Sequence, residues 1–102
     1  MARLYWTETA LNDVCEITAF IGKDSKVYAK RFGRKLRDTP KKLSRFPRLG
    51  GMVPEFERDS LRELFVGAYR VIYEIREGDC YVLAVVHGSR DLLRAVEPPE
   101  QV

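Results

Sequence analysis

Among the 102 residues there is a single histidine, His87. Histidine is the side chain that exchanges protons near neutral pH, so His87 is where this chain could place a lone general acid or base. The competing reading is that His87 ends a strand and hydrogen-bonds a neighbouring backbone group, and the sequence favours it. The other chemical signatures are missing. There is no Ser–His–Asp arrangement, no Cys–His pair and no Gly-rich phosphate loop. Cys15 and Cys80 read as small buried hydrophobes in a reducing compartment. One histidine cannot make a His-rich metal site, so no metal and no cofactor is expected.

Charge is the second chemical feature. The net charge of +3 hides an asymmetry: residues 30–48 carry nine bases against Asp38 alone, and the rest of the chain carries nine bases against fourteen acids. Lys30, Arg34, Arg37, Lys41 and Arg45 recur three or four apart, which is one face of a helix. Such a face is often merely solvated, but nearly unopposed like charge repels itself and invites an acidic protein surface or nucleic acid. Arg70 is open to two readings. It pairs with Glu63 or Glu74 across a sheet face, or it serves function, since a surface pair contributes less than about 1 kcal/mol. Tyr69, Tyr73 and Tyr81 read as strand packing, because no aromatic alternates with bases as a single-strand binder requires.

The elements that must position these residues follow from pattern. Leu4–Tyr5–Trp6 is a short strand. Thr7 caps a helix with Glu8 in its first turn. Trp6 and Leu11 are placed as a hydrophobic staple, and Ala10, Leu11, Val14, Ile17 and Ile21 form the apolar face. Gly22 is expected to end that helix as a left-handed residue. Asp24–Ser25 caps a second helix whose stripe runs through Val27, Tyr28, Phe32, Leu36, Leu43 and Phe46, read as one helix kinked at Pro40. Residues 50–59 read as a loop. Strands follow at 61–66, 69–76 and 81–87, the last two joined by a tight turn at Glu77–Gly78–Asp79. Asp91 caps a terminal turn through Leu92, Leu93 and Val96, which Pro98–Pro99 ends.

This order predicts an α+β domain spanning 1–102. An N-terminal strand precedes an antiparallel helical hairpin packed on one face of a mainly antiparallel sheet, with a short C-terminal helical turn. The opposite face, with Arg70, Ile72 and parts of Leu64, Val66 and the 81–86 strand, is expected to lie bare and to belong to a partner. No apolar run approaches the roughly 18 residues that span a bilayer. Met1–Ala2–Arg3 leads straight into Leu4–Tyr5–Trp6, so a cytoplasmic location with no membrane partner is expected.

Three patterns carry a family resemblance. They are Trp6–Thr7–Glu8–Thr9–Ala10 with Leu11 and Ile17; Phe46–Pro47–Arg48–Leu49–Gly50; and Arg62–Glu63–Leu64 through Gly67–Tyr73 with Val85–Asp91. In this order they resemble the RelE/ParE toxin superfamily of type II toxin–antitoxin systems along nearly the whole chain. The resemblance implies a toxin that a cognate antitoxin, acidic and partly disordered when free, silences in a hetero-oligomer. It also implies one of two mechanisms: RelE-like ribosome-dependent mRNA cleavage, or ParE-like inhibition of DNA gyrase without catalysis.

Cleavage through a 2′-hydroxyl needs a base, an acid and a cation on the phosphorane. The resemblance to the nucleases would assign Arg70, His87 and Arg90 to those roles. However, Gly88 follows His87 where those members have a tyrosine, and no C-terminal tyrosine follows Arg90. The sequence therefore favours the ParE-like branch, with the ribosome and mRNA as the alternative target. Partner contacts are expected from Lys30, Arg34, Arg37, Lys41, Arg62, Arg70 and Arg90.

Overall fold

The computed structural model describes residues 1–95. Strand β1 (Leu4–Trp6) leads to α1 (Glu8–Gly22) and α2 (Lys26–Asp38), and a 3-10 helix (Thr39–Ser44) follows. Then come β2 (Gly51–Met52), β3 (Leu61–Val66), β4 (Tyr69–Arg76), β5 (Asp79–His87) and a terminal turn of helix, α3 (Leu92–Ala95). The five strands form one sheet in the order β1-β5-β4-β3-β2. Only β1, beside β5, runs parallel to its neighbour. None of the described helices is long and apolar enough to cross a membrane.

Local chemistry sets the element ends. Thr7 Oγ1 accepts from the Ala10 N–H at 3.1 Å and donates to the Val82 carbonyl at 2.9 Å. It thus caps α1 and ties it to the sheet. Ser25 caps α2 by accepting from the Tyr28 N–H. Gly33 lets the two helices cross closely, since a Cβ there would lie 2.7 Å from Thr18 Cγ2. Glu77 and Gly78 both take positive φ, 49° and 85°, which makes the two-residue turn between β4 and β5.

Several expectations are corrected. Gly22 is not left-handed; α1 ends through Lys23 in a right-handed conformation. The second helix is not one kinked rod. Pro40 has no N–H to give the Leu36 carbonyl, so the chain tightens into the 3-10 helix instead. Leu43 stays buried, whereas Val27, Tyr28 and Phe46 are exposed. Cys80 is buried but Cys15 is exposed. Val96, Pro98 and Pro99 lie outside the described residues.

The largest correction concerns the second sheet face. One core lies under the helices, built on Tyr73, Leu36, Leu43, Val66, Val71 and Val82, with Leu64 packed against it. A second core, Val53, Leu61, Ile72 and Leu92 with Phe56 against it, fills the opposite face. Ile72 is only 5% exposed. The stretch read as a loop contains β2, which pairs with β3 and delivers Val53 across the sheet, while α3 brings Leu92. The chain covers this part of the face itself.

Candidate functional site

Arg70 lies on the second sheet face, 3% exposed. Its guanidinium forms a bidentate pair with Glu55, Nη1 to Oε2 at 2.8 Å and Nη2 to Oε1 at 2.7 Å. Nε donates to Glu63 Oε1 at 2.8 Å, and Nη2 approaches that oxygen at 2.7 Å. Nη1 also donates to the Arg90 carbonyl at 3.1 Å. An arginine has five N–H donors; four of them make these hydrogen bonds, and the fifth lies on Nη2 beside Glu63. The Arg70 hydrogen bonds hold the Glu55 carboxyl down at about 2, and Glu55 holds the Arg70 guanidinium above its ordinary range. Glu55 Oε2 also accepts the Leu92 N–H at 3.1 Å, so the same carboxylate fastens α3.

His87 lies on the other face. It pairs with Tyr69, and Arg70 pairs with Val86; side chains alternate along a strand, so Arg70 and His87 project in opposite directions. The exposed His87 ring meets the Tyr69 ring edge-on at 5.5 Å between centroids. Its Nδ1 accepts from the Ser89 N–H at 3.2 Å and lies 2.7 Å from Ser89 Oγ. Arg90 is exposed, and its charge reaches Asp13. Asp13 accepts the Val85 N–H at 2.9 Å; burial pushes its carboxyl up against that bond. Of the three residues of the nuclease assignment, Arg70 and Arg90 line one pocket with Glu55 and Glu63, and His87 projects from the other face.

Arg62 is also occupied within the chain. Its Nε donates to the Gly50 carbonyl at 2.7 Å and its Nη1 to the Asp59 carbonyl at 2.8 Å. Beside it, the buried Tyr73 hydroxyl donates to the Pro47 carbonyl at 2.6 Å and accepts the Gly50 N–H at 3.0 Å. The Phe46–Gly50 segment is thus a structural clasp. Arg62 and Arg70, expected as partner contacts, are spent on internal bonds.

Four of the other expected cations do come together, while Arg90 lies beside Arg70 instead. Lys30, Arg34, Arg37 and Lys41 are all exposed and line one groove of about 820 Å³. Its apolar lining comes from Leu4 and Trp6 of β1, Val14 of α1 and Ala29 of α2. The Arg37 guanidinium lies 5.1 Å from the centroid of the Trp6 ring, over its face. Asp38 forms an exposed pair with Lys41 at 2.9 Å.

Sequence reasoning found the four groove cations from their three- and four-residue spacing, and named Glu63 beside Arg70. It missed Glu55, for which a lone acid in a loop gives no local signal, and Trp6 as part of the groove. Glu74, the other expected Arg70 partner, binds Arg58 and Arg76 instead. Among the described residues, no cluster of His, Cys, Asp and Glu could hold a metal ion.

Comparisons with known proteins find ParE and RelE toxins alike. The family described as the ParE toxin of the type II toxin–antitoxin system parDE matches residues 4–92. Toxin RelE2 of Caulobacter vibrioides is 30% identical over 91 residues, covering 88% of this chain and 99% of that protein. Two solved structures share the fold. The chromosomal ParDE toxin–antitoxin system of P. aeruginosa superposes with a TM-score of 0.71 at 18% identity, over 85% of this chain and 96% of that one. The toxin–antitoxin complex RelBE2 of Mycobacterium tuberculosis gives 0.52 at 24% identity, over 84% and 96%.

Proposed function

This chain belongs to the ParE toxin family of type II toxin–antitoxin systems, and we propose that within it the chain acts without catalysis, as an inhibitor of DNA gyrase that a cognate antitoxin silences. The observation that carries this reading is the state of Arg70. A cation that stabilises a phosphorane must have donors to offer as charge develops. Four of the five donors of Arg70 are taken by Glu55, Glu63 and the Arg90 carbonyl, and two carboxylates face its single positive charge. The one histidine faces the other side of the sheet. The pocket that Arg70 and Arg90 line therefore lacks the one residue that would exchange a proton near neutral pH.

The antitoxin's seat is the groove between α2, α1 and β1. Its floor offers apolar surface and its rim offers Lys30, Arg34, Arg37 and Lys41, which suits an acidic segment that folds on binding. The relatives of this fold include toxin–antitoxin assemblies, which supports such a partner. The centre of the second sheet face is a poorer seat, because Val53, Phe56 and Leu92 already cover it.

Induction in cells, with the DNA-damage response and translation followed in parallel, tests the reading. Filamentation with a DNA-damage response, relieved by co-expressing the antitoxin, is expected. Immediate translation arrest with cleaved transcripts would overturn it.

A further inference from the structure

We infer that the α2 face is a sequence-independent seat for the phosphates of duplex DNA, so that antitoxin and DNA are alternative occupants of the same cations. This rests on the proposed function only in giving the antitoxin that groove. Lys30, Arg34, Arg37 and Lys41 are exposed and face one groove. Arg31 and Lys35 are exposed on α2 as well, and Lys42 and Arg45 follow. Of these eight, only Lys41 has an ion-pair partner among the described residues, Asp38, and an exposed pair of this kind is weak. The chain therefore maintains a ridge of positive charge that one exposed pair barely offsets, in contrast to Arg62 and Arg70.

Geometry favours duplex DNA. Lys30 and Lys41 are eleven residues apart, the first part on α2 and the last on the 3-10 helix, which together span roughly 18 Å. One strand of B-DNA carries a phosphate about every 3.4 Å of axis, so the row faces about five of them. Single strands are bound largely by stacking bases on open aromatic faces. The one aromatic lining this groove is Trp6, and the Arg37 guanidinium lies over its ring. Helix α2 has no Asn or Gln, the residues that pair with adenine edges. Arginine and lysine also reach guanine edges, so equal affinity for unrelated duplex sequences is the outcome that assigns these cations to the backbone, and a strong preference among them would overturn it.

The test is fluorescence anisotropy of the purified full chain with labelled duplexes of about 20 base pairs and unrelated sequences, across salt. Four phosphate contacts predict a slope of log K against log salt near −3.6, or roughly 150-fold weaker binding from about 50 to about 200 mM salt. Lys30→Gln and Arg34→Gln, both at exposed positions, should each flatten the slope by about 0.9. Reversing all four groove cations to Glu should abolish binding while thermal melting stays cooperative. A wild-type slope shallower than about −1, unchanged slopes in both single variants, or tighter binding to single strands than to duplex would overturn the inference. A gyrase supercoiling assay on the same preparations separates the two readings. Inhibition without DNA binding sinks only this inference, and DNA binding without inhibition sinks only the proposed function.

Discussion

Arg70 and His87 project from opposite faces of one sheet, although their registers on β4 and β5 differ by a single residue. Strand alternation enforces this, so no rotamer change brings the two side chains to one phosphate. The arginine is tied to two carboxylates and the histidine to Ser89.

His87→Ala should leave toxicity and stability nearly unchanged. The ring is exposed and its partner is a local turn, where substitutions usually stay within about 0.5 kcal/mol. Growth arrest on induction, compared at equal protein level, checks this. Loss of arrest with unaltered melting would count against it.

Arg70→Ala should be strongly destabilising, by about 3–5 kcal/mol, because it leaves Glu55 and Glu63 partly buried without their cation. Arg70→Lys should recover only part of this, since an ammonium cannot reproduce the bidentate pair with Glu55. Urea melts of the three proteins give the comparison. Wild-type stability in Arg70→Ala would mean that the cluster is not structural.

Glu55 gives the fold an acid-sensitive link. Its carboxyl lies at about 2 in the folded chain against 4.5 ordinarily. Because the folded value is depressed, the contribution is complete above about 4.5 and disappears as pH falls through about 2. The stability difference between wild type and Glu55→Gln should be constant above that window and shrink within it. A difference that does not change with pH would contradict the assignment.

Gly50→Ala should cost about 1–3 kcal/mol through overpacking. A Cβ at Gly50 would lie 2.4 Å from the Glu63 carbonyl oxygen and 2.9 Å from the Tyr73 ring, whereas one at Gly51 meets nothing within 4 Å. At roughly 4–8 °C per kcal/mol for a domain of this size, Gly50→Ala should melt clearly lower and Gly51→Ala close to wild type. Equal melting temperatures would show that the clasp around Tyr73 gives way easily.

The parts legible in the sequence were those with local causes. Thr7 and Ser25 announce helix starts through their hydroxyls, β4 alternates residue by residue, and the groove cations repeat at helical spacing. What stayed hidden depends on contacts distant in sequence. Val53 lies in a segment without period and Leu92 in a turn too short to show a face, so nothing marked them as the cover over Ile72. Glu55 reaches Arg70 only because β2 turns the intervening chain across the sheet. The switch at Pro40 kept the apolar phase as far as Leu43, and so read as a kink when it was a change of helix type.

The most direct measurement of the central claim adds the purified chain to two reactions side by side: gyrase supercoiling of relaxed plasmid, and ribosomes translating a defined mRNA. Supercoiling should stop, added antitoxin should restore it, His87→Ala should behave as wild type, and the mRNA should stay whole. Codon-positioned mRNA cuts that disappear with His87→Ala, beside unaffected gyrase, would contradict that claim.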